Sequence, residues 1–253
     1  MGGRHRVCGR GLKRVLRVGL FQRREGVVVR SVRPFVVSAR NEELVSALRE
    51  SSEHGSFVIT GGKGSGKTTL LKWYVSQELP GDQGLLCSGA DLGFAAFVKE
   101  NQYFLDRVGQ VSVLAVDDVD LLSEYDGGDT LLRLLFEERE RRGLGIVMAS
   151  RKPYGELESL LPEDFRKKAE VFELSPLEPA DFDSFVRAMM KFYGEERQVR
   201  FDDGAVGIVE RFANGDVGTA DKAARYVMTR RAGVSFTVTA QDVSSLLGIE
   251  TLC

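Results

Sequence analysis

The chain has 253 residues, 43% of them hydrophobic and 28 of them glycine, which is enough for one large folded domain or two small ones. This composition excludes a disordered or fibrous protein. The 35 basic and 37 acidic residues give a formal charge of −2, so the total does not indicate a generally basic nucleic-acid-binding protein.

The first 33 residues differ in charge from the rest of the chain. They contain ten arginines and lysines and one acid and carry +9, whereas the other 220 residues contain 25 bases and 36 acids and carry −11. Such a segment can contact nucleic-acid phosphates, or it can be a solvated or partner-binding terminus. A transit peptide would be similarly basic but rich in serine, and only one serine is present. We interpret residues 1–33 as a basic N-terminal arm, through which DNA is a plausible partner.

After the arm, predicted strands alternate with predicted helices. Residues 26–37 favour β-structure, and short apolar runs predict strands at 56–60, 84–88, 111–116, 145–150 and 169–174. Helical patterns occur at 41–51, 67–78, 91–108 and 129–143. Strands that alternate with helices indicate a parallel sheet flanked by helices, so we predict an α/β unit at 34–176.

From Pro176 onward the pattern is helical only. Helices are predicted at 179–194, 202–215, 218–233 and 239–247. We therefore predict a small all-helical unit over residues 177–253.

Cysteine usage and hydropathy give no sign of secretion or of a membrane. Cys8, Cys87 and Cys253 are far apart, and the chain has only two histidines, so neither a disulfide framework nor a zinc site is expected. No run of about 18 apolar residues is present, and we expect no membrane partner. These features predict a cytoplasmic protein.

The strongest motif is GGKGSGKT at residues 61–68, which matches the phosphate-loop pattern G-x-x-x-x-G-K-[ST] between a predicted strand and a predicted helix. Glycines let successive backbone N–H groups surround an anion, and the helix N-terminus favours negative charge. Lys67 is expected to reach the β- and γ-phosphates, and the Thr68 hydroxyl is expected to ligate Mg²⁺. The motif predicts ATP or ADP with Mg²⁺, bound by Gly61, Gly62, Lys63, Gly64, Ser65, Gly66, Lys67, Thr68 and Thr69.

Two adjacent carboxylates, Asp117 and Asp118, follow the apolar strand predicted at 111–116. Ligands of open α/β sheets lie at the carboxyl ends of strands, so both acids are expected to face the bound phosphates. One carboxylate can hold the hydrated Mg²⁺ while the next orients the attacking water. We predict that Asp117 holds the Mg²⁺ and that Asp118 orients the attacking water.

Together the two motifs resemble those of AAA+ ATPases, with GGKGSGKT as Walker A and VLAVDD as Walker B. The resemblance covers about residues 33–250 and implies an AAA+ core followed by a helical lid. The flanking segments are most similar to the initiator and loader branch, which includes archaeal origin-recognition/Cdc-type and DnaA-like proteins, and DDVDLL at 117–122 is common in initiators. The segment VSARNEELVSAL at 37–48 is similar to the lead-in of origin-recognition proteins and also of STAND-type ATPases, with Ala39 in place of the usual glycine. This resemblance implies hydrolysis of ATP to ADP and phosphate in DNA replication initiation or loading.

Further site residues follow only from the resemblance. Ser150 stands where the family has a sensor that touches the γ-phosphate, and Arg166 stands in the arginine-finger segment, which acts on a neighbouring subunit's ATP. Gly218 replaces the expected sensor-2 arginine, and Lys222 or Arg225 could substitute only if the helix were rotated or shifted. From the residues alone, Ser150 can equally begin a loop, and 166–168 can be a solvated loop. Without the sensor-2 cation, slow hydrolysis is expected. The resemblance also implies self-association or another AAA+ subunit, and a catalytic set of Lys67, Asp118, Ser150 and Arg166.

Two other functions fit the same motifs. A STAND-like regulatory switch would bind ATP, hydrolyse it slowly and signal through protein contacts. A helper ATPase for transposition or secretion would have a similar phosphate loop. Initiators of this branch usually carry a C-terminal DNA-reading domain, for which residues up to Cys253 leave no room, so we expect the arm to make any DNA contact.

Overall fold

A computed structural model describes residues 41–51, 54–79, 83–97, 105–106, 108–197, 199–230 and 237–248, together with Phe35 and Val37. The basic arm at 1–33 lies outside the described residues. So does nearly all of the segment at 26–37 that was predicted to be β-rich.

Five parallel strands form a central sheet in the order β2-β3-β4-β1-β5. Their bounds are β1 Ser56–Thr60, β2 Gly84–Ser88, β3 Val113–Asp117, β4 Gly145–Ser150 and β5 Glu170–Glu173. Strand β4 is buried along its whole length because helices cover both faces of the sheet, which explains its continuous apolar sequence. All five predicted strands are confirmed, with ends shifted by at most two residues.

Within the described ranges, six helices accompany the sheet. They are α1 Glu42–Glu50, α2 Lys67–Trp73, α3 Gly89–Phe97, α4 Gly128–Arg141, α5 Tyr154–Leu157 and α6 Glu163–Lys168. Helix α2 continues as a π-helical turn over Tyr74–Glu78, and a 3-10 helix spans Val119–Glu124. The helices predicted at 41–51, 67–78 and 129–143 are confirmed, and α3 covers the first part of the one predicted at 91–108.

Alternate residues of β1 enter two different apolar clusters, one on each face of the sheet. Val58 belongs to the cluster that contains residues of α3, α4 and the 3-10 helix, whereas Phe57 and Ile59 belong to the cluster formed with α1 and α2. The phosphate loop between β1 and α2 is therefore anchored by buried residues on both of its sides.

The C-terminal part forms a third apolar cluster from four helices, α7 Pro179–Arg197, α8 Asp203–Ala213, α9 Val217–Arg230 and α10 Ala240–Leu247. The prediction of helices alone was incomplete, since β6 Arg200–Phe201 and β7 Thr237–Val238 pair in parallel between them. Each of these strands has two residues, which is too short to give an alternating pattern.

The expectations about membrane-spanning helices and about cysteines can be compared with the described residues. None of the helices in these ranges is both long and apolar enough to cross a membrane. Cys87 is a free, buried thiol on β2, and burial raises its pKa far above the usual range. Cys8 and Cys253 lie outside the described residues.

Candidate functional site

The phosphate loop, the two adjacent acids and Ser150 lie at the carboxyl edge of the central sheet, whereas Arg166 lies on α6. Strand β1 enters the phosphate loop at Gly61, β3 ends at Asp117, and β4 ends at Ser150. Strand β4 lies between the other two, and its Ser150 is paired with Thr60, the residue before the loop. The topology therefore brings three separate sequence segments to one place, where α/β sheets bind their ligands.

The backbone of the phosphate loop requires glycine at residues 64 and 66. Gly64 has φ 82° and Gly66, the N-cap of α2, has φ 98°, both in the left-handed region that side chains disfavour. Lys67 follows directly as the first residue of α2. The loop thus presents backbone N–H groups and a helix N-terminus to the same point, which favours an anion.

The ammonium group of Lys67 lies within the curve of this loop. Its Nζ donates to the carbonyl oxygens of Gly61 at 2.6 Å and Gly62 at 2.9 Å, and to the Ser65 hydroxyl at 3.2 Å. Burial lowers the pKa of Lys67, and the negative charge of Asp117 opposes that shift. A phosphate in the loop would give this buried cation a charged acceptor in place of neutral ones.

Thr68 and Asp117, the predicted metal ligands, are in direct contact. The Thr68 hydroxyl donates to Asp117 Oδ2 at 2.7 Å, and the backbone N–H of Asp118 donates to Asp117 Oδ1 at 3.1 Å. Hydroxyl and carboxylate oxygens are ligands that suit Mg²⁺, which also keeps waters and substrate phosphate oxygens in its shell. These two residues therefore fit the metal that the sequence predicts.

Asp118 occupies an uncommon backbone conformation beside this pair, with φ 49° and ψ 47°. Its carboxylate forms an ion pair with Arg151, with Nε and Oδ1 separated by 3.1 Å. Burial raises the pKa of Asp118, and the neighbouring charge of Asp117 raises it further. The ion pair places a second cation at the site, which the sequence analysis missed, although Arg151 directly follows Ser150.

Ser150 is completely buried and hydrogen-bonded to a third acid. Its hydroxyl donates to Asp120 Oδ1 at 3.0 Å and accepts from the backbone N–H of Lys152 at 2.9 Å. The same Asp120 oxygen accepts from the backbone N–H of Arg151 at 3.2 Å. Asp120, the last acid of DDVDLL, was also missed; it ties the end of β4 to the segment after β3. The sensor role of Ser150 stays a prediction.

The C-terminal unit contributes a carboxylate, rather than a cation, beside the phosphate loop. Asp216 accepts from the backbone N–H of Thr219 at 2.5 Å at the start of α9, and this hydrogen bond lowers its pKa. A Cβ atom placed on Gly64 would lie 2.6 Å from Asp216 Oδ2, so this carboxylate packs against the loop. Gly218, at the expected sensor-2 position, lies two residues further along α9.

The two proposed substitutes for the sensor-2 arginine lie in a different environment. Lys222 and Arg225 line a surface groove together with Tyr226 and Thr229. Arg225 is ion-paired with Asp221 at 3.0 Å. The structure does not place either cation among the residues that line the cavity beside the phosphate loop.

Arg166 belongs to the short helix α6, where its two neighbours are paired within the chain. Lys167 pairs with Glu163 at 2.8 Å, and Lys168 pairs with Glu140. In the described part of the chain, the buried Arg166 Nε has no hydrogen-bond partner. The arginine-finger role of Arg166 stays a prediction.

A small apolar cavity of about 20 Å³ lies beside the loop, between the α/β part and the C-terminal helices. It has room for about one water molecule. The lining residues are Phe35, Asn41, Ser65, Gly66, Thr69, Leu174, Leu177, Phe185 and Val217.

Comparison with solved structures identifies the fold. Domain III of the replication initiation protein DnaA from Thermotoga maritima matches with a TM-score of 0.65 at 22% identity, covering 85% of this chain and 93% of that chain. The replication initiator DnaA bound to AMPPCP and single-stranded DNA matches with a TM-score of 0.52 at 17% identity, covering 86% of both chains. The Thermotoga maritima RuvB Holliday junction branch migration motor matches with a TM-score of 0.59 at 17% identity, covering 86% of this chain and 72% of that chain.

A scan of family models gives no match, and neither does a search of curated proteins. The chain nevertheless shares the fold of DnaA domain III, with its parallel five-stranded sheet and helical C-terminal part. The fold that the motifs predict is confirmed.

Proposed function

We propose that this protein is a cytoplasmic AAA+ ATPase, which binds ATP with Mg²⁺ and hydrolyses it slowly during DNA replication initiation or loading. The hydrogen bond of 2.7 Å between Thr68 and Asp117 carries the proposal. It holds the predicted metal-binding hydroxyl of the phosphate loop against the acidic end of β3, so a Mg²⁺ bound by Thr68 would lie beside the Asp117 carboxylate and the phosphates in the loop.

Each residue of the site has a distinct part in this reaction. Loop N–H groups and Lys67 bind the phosphates, and Thr68 and Asp117 hold Mg²⁺, which neutralises charge on the β- and γ-phosphate oxygens when it is bound. Asp118 orients the attacking water and takes up its proton. Its raised pKa increases its affinity for that proton.

The nucleotide base is expected to enter the apolar cavity beside the loop. Leu177 and Phe185 line it from the C-terminal side, and Ser65 and Gly66 line it from the loop side. Because the cavity of about 20 Å³ is far smaller than a purine, binding requires the two sides to separate. We therefore propose residues 34–176 as the core and 177–253 as a lid that moves when nucleotide binds.

A second function, the STAND-like nucleotide switch, is favoured by the charges at the lid. Asp216 places a carboxylate against Gly64, where the resemblance to AAA+ proteins implies a cation two residues later. A negative charge there opposes the build-up of negative charge on the γ-phosphate. Slow hydrolysis, with ATP acting mainly as a signal, is consistent with this arrangement.

DNA and partner subunits complete the proposal. The DnaA neighbour bound to single-stranded DNA supports a nucleic-acid partner, and the basic arm at 1–33 is the proposed contact. An arginine finger at Arg166 would act on a neighbour's nucleotide, so it would require self-association or another AAA+ subunit. Salt-dependent DNA binding that disappears when the ten arm cations become glutamine would favour replication, whereas a nucleotide-dependent protein partner without DNA binding would favour the switch.

The experiment that tests nucleotide binding compares Lys67→Ala with Lys72→Ala by calorimetric titration with ATP and Mg²⁺. Lys72 lies on the same helix but is exposed. Losing the ammonium contacts with two phosphates should weaken ATP binding about 100-fold in Lys67→Ala. Lys72→Ala should bind as the wild type does. Equal affinity of Lys67→Ala and the wild type would overturn the proposed function.

A further inference from the structure

We propose that Arg151 supplies the contact with the γ-phosphate at the end of β4, and that its movement to the phosphate frees Asp118. The inference rests on the proposed function, because it names the residue of that same site by which ATP is distinguished from ADP. Its basis is the hydrogen-bond network around Asp120 and the position of Arg151 relative to the phosphate loop.

The first step concerns the Ser150 hydroxyl, which has one proton to donate. The backbone N–H of Lys152 points to Ser150 Oγ and occupies it as an acceptor, so the hydroxyl proton is directed to Asp120 at 3.0 Å. Asp120 is itself buried and accepts a second hydrogen bond, from the backbone N–H of Arg151. A phosphate at this edge would therefore find the Ser150 proton already committed to a carboxylate.

The second step concerns the place of Arg151 in the sheet. Ser150 is paired with Thr60 in the parallel register of β4 and β1, so Arg151 leaves its strand beside Gly61, where the phosphate loop begins. Its side chain is about half exposed, at 47%, and is attached to Asp118 by one ion pair. The backbone of Arg151 is fixed by Asp120 while its guanidinium group can change partners.

The third step is the competition between two anions. A guanidinium group binds phosphate through two parallel hydrogen bonds, and the γ-phosphate carries more charge than one carboxylate. ATP therefore draws Arg151 away from Asp118, which then becomes available to the attacking water. ADP has no γ-phosphate, so with ADP the ion pair between Arg151 and Asp118 persists.

The test measures the affinities of a non-hydrolysable ATP analogue and of ADP, both with Mg²⁺, in full-length variants whose folding is checked by circular dichroism. In Arg151→Ala the analogue should bind about 10- to 100-fold more weakly while ADP affinity changes less than about twofold. Arg151→Lys should recover part of the loss because it keeps the charge without the paired hydrogen bonds. The adjacent Lys152→Ala is the matched control and should leave both affinities unchanged.

A second variant changes Asp118, the other partner of the ion pair with Arg151. Asp118→Asn weakens the ion pair, so Arg151 leaves its partner more easily and the analogue should bind a few-fold more tightly, with ADP affinity unchanged. An unchanged ratio of the two affinities in Arg151→Ala, or an equal loss of both, would overturn the inference. If Lys67→Ala abolishes binding while Arg151→Ala leaves the ratio intact, the proposed function survives and the role of Arg151 does not. If neither Lys67→Ala nor Arg151→Ala changes any nucleotide affinity, both the proposed function and the role of Arg151 are wrong.

Discussion

Charged side chains have different partners at the two edges of the central sheet, the carboxyl edge where the strands end and the amino edge where they begin. At the carboxyl edge, Lys67, Asp117, Asp118 and Arg151 lie together, and ionised side chains contact each other or loop oxygens. At the amino edge, Arg139 of α4 is completely buried. It donates to neutral backbone carbonyls at distances of 2.5 to 3.2 Å, those of Val108, Val111, Ser112 and Gly145.

The difference shows which edge can accept a ligand. Arg139 uses its donors on carbonyls of the segments that lead into β3 and β4, so it joins parts of the fold and has little capacity left. Burial lowers its pKa to about 10, which keeps it charged at neutral pH. The pairs at the carboxyl edge can exchange partners with a phosphate or a metal. Substitutions at the carboxyl edge should therefore change nucleotide binding or turnover, whereas substitutions at the amino edge should change the free energy of unfolding.

The largest effect is expected for Asp118→Asn at the carboxyl edge. The amide keeps the size of the side chain but cannot accept the proton of the attacking water, so ATP turnover should fall about 10²- to 10⁴-fold. Steady-state phosphate release measures turnover, and nucleotide titration should give an affinity within a few-fold of the wild type. An equal loss of binding and turnover would contradict the role given to Asp118.

The next effect is expected for Arg139→Met at the amino edge. Methionine fills much of the volume but leaves buried carbonyls without their charged donor, so the free energy of unfolding should fall by about 3 kcal/mol or more. Urea unfolding measures the change. Nucleotide affinity of the folded fraction should be unaltered.

The matched control for this variant is Arg133→Met, on the same helix. Its side chain is 61% exposed and its distance to Glu137 is 4.0 Å, so its stability should stay close to that of the wild type. A stable Arg139→Met protein with weakened nucleotide binding would remove the distinction between the two edges.

The sequence was sufficient to predict the phosphate loop and acids at the carboxyl edge, but it gave no indication of the buried Arg139 at the amino edge. The phosphate loop and the apolar strands are local patterns, so contiguous residues such as 61–68 were sufficient to predict them. Apart from Gly145, which is six residues from Arg139, the partners of Arg139 and Arg151 lie 27 to 33 residues away along the chain, and no local period encodes them. The approach of Asp216 to Gly64 likewise depends on how the C-terminal helices pack.

The smallest effect is expected at Asp216, which belongs to the C-terminal helices but contacts the loop at the carboxyl edge. Asp216→Ala removes the cap of α9 and should cost about 1 kcal/mol of unfolding free energy. Asp216→Asn keeps a capping oxygen and should cost less. Both variants remove a negative charge from beside the bound phosphates, so ATP affinity should rise a few-fold while stability falls.

The pH dependence of this difference follows from the hydrogen bond that Asp216 accepts from Thr219. That bond lowers the pKa of Asp216 in the folded state, so the ionised carboxylate stabilises the fold above the unfolded pKa of about 3.9. The contribution is lost as the pH falls through the lower folded-state pKa. The stability difference between the wild type and Asp216→Asn, measured by urea unfolding, should be constant at neutral pH and shrink below about pH 4. A stability difference that persists unchanged in acid would show that the charge of Asp216 has no part in capping. A fall in the ATP affinity of the Asp216 variants would show that this carboxylate supports the loop instead of opposing the phosphates.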